Sequence, residues 1–260
     1  MLIPLRAALG RRLAAFLNQN VAGSEPCTTN SAIALKRAIQ PGDVLLVEGH
    51  TRVSAAIRYL TQSTWSHAAL HVGAIPGLRE TDGEPHVLVE AILGRGVVTA
   101  PLSAYATKHC RICRPVALSA ADRAALVAFA VARIGTGYDV RNVVDLARYL
   151  LPMPPVPIRF RRRMIALGSG SPTQTICSTL IAQAFEAVRY PILPDIQELP
   201  AEEDESDRAE FAREVLSIRH HSLYTPRDFD ISPYFQVVKP TIEAGFDYHA
   251  VTWRVDAPAA

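Results

Sequence analysis

A succession of short apolar runs separated by turns, between residues 43 and 116, constrains the fold of this chain most. The runs DVLLVE, HAALHVG, HVLVEAIL and HCRICRPV have the length and composition of strands. The sequences GLRETDGEP and GRG between them are typical of turns. TRVSAAIRYLTQ separates the first two runs and predicts a helix that Thr51 caps. Strand-rich sequence therefore dominates this part of the chain and predicts a sheet.

Helical periodicity dominates the sequence that follows. Ser119 precedes AADRAALVAFAVARI, a helical pattern that ends at Gly135 and Gly137, and NVVDLARYL predicts a second helix before Pro152. The segment ICSTLIAQAFEAV has the clearest helical pattern of the chain. Its apolar positions are Ile176, Leu180, Ile181, Ala184, Phe185 and Val188. Since these positions share one face, we expect the helix to pack on a large apolar surface.

Composition excludes several classes of protein. Of the 260 residues 49% are hydrophobic and 20% are charged, which is enough for a core and argues against disorder. Lys and Arg number 27 against 25 for Asp and Glu, so no basic field predicts nucleic-acid binding. No run reaches the roughly 18 apolar residues of a membrane span. Four cysteines are too few for a disulfide scaffold, so we expect any important cysteine to act as a thiol.

Residues 1–40 are predicted to be an amphipathic helix and a linker, and residues 41–260 the main domain. Leu2, Leu5, Leu9, Leu13 and Phe16 recur every three or four positions and give the helix one apolar face. We expect this face to pack on the domain, and the alternative is adsorption to an anionic membrane. Arginines interrupt the apolar stretch, so no secretory signal is predicted, and we expect a cytoplasmic or peripheral membrane location.

A proline-rich and arginine-rich insertion is predicted at residues 152–175. Its four prolines in LPMPPVPIRFRRRM exclude a regular helix or a central strand. Its basic residues are Arg159, Arg161, Arg162 and Arg163. A solvated loop is the simpler interpretation, while peripheral membrane contact, shared with residues 1–18, is the alternative.

The chain has candidate residues for the three roles that acyl transfer requires. Cys177 begins its helix, where unpaired backbone N–H groups favour a thiolate. His67 and His71 lie on the same side of their strand, and either could act as a base. Glu90, on another strand, could orient an imidazole. A nucleophile, a base and a carboxylate together indicate cysteine hydrolase chemistry.

The segments that carry these residues resemble a known family. They are GDVLLVEGHTRVSAAIRYLTQSTWSHAALHVG, VLVEAILGRGVVTAPL, IGTGYD, TICSTLIAQAF and YTPRDFDISPYFQVV, over roughly residues 41–240. In this order they resemble the permuted NlpC-type, papain-like cysteine hydrolases, with the YiiX-like branch as the most similar. The resemblance implies an α+β, circularly permuted papain-like fold with an antiparallel sheet packed against the nucleophile helix. It also implies that Cys177 is the nucleophile, His67 the base and Glu90 the polar partner.

Three further residues are expected to contact substrate. Tyr138 lies in a segment similar to the GxxYD segment of the family and is expected to line the site. Trp65 and Ser66 directly precede the base and are expected to bind substrate as well.

Other chemistries are less well supported. His67, His71, His86 and Glu90 could hold a metal on one sheet face, but no HExxH motif accompanies them, and we expect no metal and no cofactor. The pair at residues 110 and 113 has strand positions of opposite parity, which would point the thiols apart. A serine hydrolase is excluded because LGSGS lacks the G-x-S-x-G elbow.

The predicted function is that of a cysteine amidase or peptidase acting through an acyl-enzyme on peptide or cell-wall peptide amides. Two alternatives remain open at this point. One is a lipid-directed thiol acyltransferase or esterase at a membrane surface, to which the amphipathic helix and the basic insertion would contribute. The other is a binding module that retains the fold without activity.

Overall fold

The structure is a computed structural model that describes residues 12–13, 15–21, 28, 31–137, 177–198, 214–217 and 220–252. The helix predicted at residues 142–150 and the insertion predicted at residues 152–175 lie outside this part of the chain. So do most of the amphipathic segment and residues 199–213.

Eight strands are present in the described residues. They are β1 (Val44–Val47), β2 (His67–His71), β3 (His86–Ile92), β4 (Gly96–Pro101), β5 (Cys110–Pro115), β6 (Asp195–Glu198), β7 (Glu214–Ser217) and β8 (Phe235–Val238). Six of them form one sheet in the order β4-β3-β2-β1-β5-β8, and every neighbouring pair is antiparallel. Strands β6 and β7 form a separate antiparallel pair. The four runs predicted to be strands are β1, β2, β3 and β5 of the large sheet.

The helices of the described residues lie before, between and after these strands. They are α1 (Ala32–Ala38), α2 (Arg52–Thr61), α3 (Ala120–Val131), α4 (Cys177–Ala187), α5 (Pro226–Asp230) and α6 (Pro240–Glu243). Single 3₁₀ turns occur at Leu102–Tyr105, His221–Leu223 and Tyr248–Ala250. The hydroxyls of Thr51 and Ser119 accept hydrogen bonds from the first-turn N–H groups of α2 and α3, so both predicted caps are confirmed.

Each face of the sheet has its own core. On one face α4 packs against β2 and β3 and α3 packs against α4, while Phe185 of α4 meets Phe229 and Phe235 edge-on or tilted. On the other face Leu35 of α1 and Tyr105 of the first 3₁₀ turn cover Leu45 and its neighbours. Because successive residues of a strand alternate between the two faces, each strand contributes side chains to both cores.

The described ends of the chain differ in how far they match the sequence patterns. Leu17, near the N-terminus, is buried, and the Asn18 side chain donates to the Leu93 carbonyl at 3.1 Å. The alternating sequences PYFQVVK and FDYHAVTWRV predict edge or hairpin strands, and the first of them contains the edge strand β8. The strand predicted in FDYHAVTWRV is wrong for residues 246–252, where a 3₁₀ turn is found. Pro240 starts a helix directly after β8, and Gly245, with φ of +80°, turns the chain away.

Candidate active site

Cys177 is the first residue of α4 and is buried, with 4% of its surface exposed. Its apolar neighbours along the helix enter the core and hold α4 against β2 and β3. The next side chain, Ser178, donates to the Tyr224 carbonyl at 2.7 Å. The thiol therefore lies at a rigidly held helix start, where the unpaired backbone N–H groups of the first turn point outward.

His67 is the first residue of β2 and meets both partners that the sequence predicted. Its Nε2 atom is hydrogen-bonded to Oε2 of Glu90 on the neighbouring strand β3. The Cys177 thiol lies close enough to the ring to raise the pKa of His67. Since Nε2 is engaged by the carboxylate, Nδ1 is the nitrogen available to the thiol. The structure thus brings Cys177, His67 and Glu90 together in one line of contacts.

Neighbouring charges in this site shift the pKa values of His67 and Glu90. Burial alone would lower the pKa of His67, but the thiolate of Cys177 and the carboxylate of Glu90 outweigh it and raise that pKa to about 10. Burial likewise favours a raised pKa for Glu90, yet the imidazolium and two hydrogen bonds outweigh it and lower that pKa. The arrangement therefore stabilises an imidazolium between two anions.

Tyr105 is part of the site and was missed by the sequence analysis. Its hydroxyl donates to Oε2 of Glu90, and its ring is stacked with the His67 imidazole at 6.2 Å between centroids. Burial and the neighbouring carboxylate raise the pKa of the phenol, so it stays a donor. Lys108 lies 4.7 Å above the same ring. Only the stretch LSAY after β4 could have pointed to this residue, and it has no distinctive pattern.

The residues predicted to contact substrate have different positions. Trp65 and Ser66 are both buried, with 2% and 3% of their surfaces exposed. The indole N–H donates to Asp230 at 3.0 Å, and Ser66 Oγ accepts the Gly49 N–H at 2.9 Å. Their role as substrate contacts stays a prediction. Tyr138 lies outside the described residues.

His71 does not join the site. It shares a strand face with His67, as predicted, but lies at the other end of β2, beside Asp43. Because the two histidines share a face, their positions along β2, and not the face they occupy, separate them. Of the two histidines left open by the sequence, the structure places His67 against the thiol.

The other groups considered from the sequence are engaged elsewhere. His86 binds Thr99 at 2.7 Å and Glu80 at 2.9 Å, away from the thiol. In the described ranges no cluster of three His, Cys, Asp or Glu side chains has a metal-binding arrangement. Cys110 and Cys113 belong to the cores on opposite sheet faces, as their strand parity predicted. No described helix is long and apolar enough to cross a bilayer.

Comparison with known proteins bears on this site. Residues 38–149 match the family model described as "Permuted papain-like amidase enzyme, YaeF/YiiX, C92 family". The chain therefore carries the permuted papain-like fold of this family. The matched region includes the strands of His67 and Glu90 and precedes the helix of Cys177, which is the permuted order expected from the sequence.

The family resemblance and the α+β fold class predicted from the sequence are confirmed by this match and by the antiparallel sheet packed against α4. The protein is an enzyme of the papain-like cysteine hydrolase class. Among solved structures, the metalloprotein yiiX from Escherichia coli O157:H7 is similar, with 18% identity and a TM-score of 0.46 over 77% of this chain and 96% of that chain. A search of curated proteins found no match.

Proposed function

We propose that this protein is a cysteine amidase or peptidase in which Cys177 is the nucleophile, His67 the general base and Glu90 the residue that orients the imidazole. The observation that carries the proposal is the single line of contacts from thiol to imidazole to buried carboxylate. Acyl transfer by a thiol requires these three roles in this order. The substrates we propose are peptides or cell-wall peptides with an exposed amide.

The first half of the reaction forms an acyl-enzyme. His67 takes the proton of Cys177 at Nδ1, and the thiolate sulfur attacks the carbonyl carbon of the amide. The oxyanion is held by backbone N–H groups at the start of α4, including that of Cys177, where the helix dipole also favours negative charge. When the C–N bond breaks, the imidazolium gives its proton to the amine that leaves.

The second half releases the acyl group. Water takes the place of the amine, and His67 removes one of its protons while the oxygen attacks the thioester carbonyl. The C–S bond breaks, the thiolate returns and the carboxylic acid departs. Glu90, held by the Tyr105 hydroxyl, keeps Nε2 of the imidazole engaged throughout, so Nδ1 faces the sulfur. Tyr105 is therefore proposed as a positioning residue.

Alkylation of Cys177 by iodoacetamide tests the proposed pair without a known substrate. The rate is measured by peptide mass spectrometry between about pH 4 and about pH 9, in the wild type and in His67→Ala. We expect reaction well below the range of an ordinary thiol, near about 8.5, and loss of that reaction in the variant. Cys110 is the internal control, since burial raises its pKa to about 12 and it should stay unmodified.

Turnover provides the second test. Cys177→Ala should abolish hydrolysis of peptide amides while thermal unfolding stays within a few degrees of the wild type. The proposal would be refuted if Cys177 were alkylated no faster than Cys110 and Cys113. It would also be refuted if the Cys177→Ala variant still turned over substrate.

A further inference from the structure

A polar groove of about 550 Å³ opens at the end of the sheet. Its ionisable lining residues are Glu48, Arg58, His109, Arg111, Arg227 and Asp230, and we call it the arginine groove. Among the described residues, Trp65 and Ile231 are its apolar lining residues. A volume of this size accommodates a small molecule or one or two residues of a peptide. The lining is too polar for a long hydrocarbon chain.

The arginine groove begins next to the proposed catalytic pair. Val47 is the last residue of β1 and pairs with His67 on one side and with the first residue of β5 on the other. Glu48 follows Val47 directly, and His109 directly precedes β5. Trp65 lies two residues before His67. The groove and the proposed base therefore share the same end of the sheet.

One side of the groove is internally paired. Glu48 accepts a hydrogen bond from Arg58 at 2.7 Å and lies 3.1 Å from Nδ1 of His109. Both oxygens of this carboxylate are thus engaged. A guanidinium has five N–H donors, so the remaining donors of Arg58 are available to a bound group.

The other side has more positive than negative charge. Asp230 is shared between Arg111, at 2.5 Å, and the indole N–H of Trp65, at 3.0 Å. Arg227 donates to the carbonyl of Thr61 at 3.0 Å, and in the part of the chain that the structure describes it forms no ion pair. Three guanidinium groups therefore face two carboxylates, both of which already have partners.

We propose that the arginine groove binds a carboxylate of the peptide substrate, next to the amide that Cys177 attacks. This inference rests on the proposed function and names its substrate class: a peptide with an acidic side chain or a free C-terminal carboxylate close to the scissile bond. A planar carboxylate matches the fork of a guanidinium, and the unpaired charge of Arg227 supplies the attraction. Arg227 acts here as a specificity residue.

Matched alkylating probes test the inference independently of turnover. N-(iodoacetyl)glycine has a carboxylate tail, and N-(iodoacetyl)glycinamide is its neutral equivalent. We expect the ratio of their Cys177 alkylation rates to fall about fivefold in Arg227→Gln, the upper range for a partly exposed ion pair. The ratio should also fall with rising salt. Arg111→Gln should lower it at least as much, because it leaves Asp230 as an unopposed negative charge in the groove.

Arg79→Gln is the matched control. It removes the same charge from the exposed loop at the opposite end of the sheet, where Arg79 binds the Gly83 carbonyl, and it should leave the ratio unchanged. Circular dichroism and thermal unfolding of each variant verify that it is folded. An unchanged ratio in folded Arg227→Gln and Arg111→Gln would overturn the inference.

Two further outcomes distinguish this inference from a failure of the proposed function and from phosphate binding. If the neutral probe alkylates Cys177 slowly and independently of His67, the proposed catalytic pair itself fails. If the neutral probe behaves as proposed but a phosphate-tailed iodoacetamide gives a larger arginine-dependent ratio than the carboxylate, the groove is a phosphate site and the peptide assignment is overturned.

Discussion

The two ends of strand β2 carry histidines that the strand pattern cannot distinguish. In the structure their pKa values are shifted in opposite directions. His67 and His71 lie four residues apart on the same strand face, and burial lowers the pKa of each. At His67 two neighbouring anions outweigh burial and raise the pKa to about 10. At His71 burial prevails, and the pKa is lowered.

The difference comes from the state of the nearest carboxylate. Glu90 directs its oxygen at His67, and within the described residues it forms no ion pair with an arginine. Asp43, near His71, is already held by Arg114, whose Nε and terminal nitrogen lie 3.0 and 2.8 Å from its oxygens. A carboxylate neutralised by a guanidinium has little attraction left for an imidazole. A histidine becomes a base where its anionic partner is not shared with an arginine.

The largest expected effect is the difference in activity between the His67→Ala and His71→Ala variants. His67→Ala should lower the Cys177 alkylation rate at neutral pH, and turnover of an amide substrate, by about 10²- to 10⁴-fold, as expected for loss of a general base. His71→Ala should change either rate by less than about threefold, because His71 contacts neither the thiol nor Glu90. Equal losses in both folded variants would remove the distinction.

The next prediction concerns the cause of the raised pKa. By NMR titration, the pKa of His67 should fall from about 10 in Cys177→Ala, which removes the stronger of the two anionic interactions. It should also fall in Glu90→Gln, by less. The pKa of His71 should not move in either variant. A larger fall in Glu90→Gln would reverse the order of the two partners.

His67 and His71, at the two ends of β2, should make the free energy of unfolding depend on pH in opposite directions. The folded pKa of His67 lies above the unfolded value of 6.5, so its contribution is complete below pH 6.5 and is lost as pH rises to about 10. The folded pKa of His71 lies below 6.5, so its contribution is present above that pH and is lost as pH falls.

Denaturant unfolding at about pH 5, about pH 7 and about pH 9 checks these signs. His67→Gln should flatten the fall in the free energy of unfolding on the alkaline side, and His71→Gln should flatten the fall on the acid side. Finding the same slope in both variants would contradict the assignment of opposite protonation states.

The smallest expected effect sharpens the role of Tyr105. In Tyr105→Phe, Glu90 loses a hydrogen-bond donor, so its pKa should rise. The acid limb of the alkylation profile should then move to higher pH, with a rate loss of about threefold and a loss in unfolding free energy of about 1.5–3 kcal/mol. Lower stability with an unmoved acid limb would make Tyr105 a structural residue only.

Much of this site follows from local sequence patterns. The strand alternation placed His67 and His71 on one side, and the helical pattern placed Cys177 at a helix start; both are found. These patterns concern residues close together in the chain, where period alone decides the face. The assignment of catalytic roles to Cys177, His67 and Glu90 stays a prediction for the experiments above.

Other parts depend on tertiary contacts that no local pattern contains. Helix α1 is short and weakly amphipathic, and it was not predicted. Tyr105 reaches Glu90 from a 3₁₀ turn after the next strand. The arginine groove joins Arg58 of α2, Arg111 of β5 and Arg227 of α5, which only the folded sheet brings to one end.

The hydrogen bond from Ser178 to the Tyr224 carbonyl has a consequence for the newly made chain. During synthesis from the N-terminus, the thiol of Cys177 leaves the ribosome before its helix has all of its packing partners. Tyr224, Phe229 and Phe235, which complete the core around α4, are translated afterwards. A helix that depends on tertiary packing is stable only once its packing partners have been translated. We therefore expect α4, and the reactive environment of Cys177 at its start, to form only after synthesis has passed these residues.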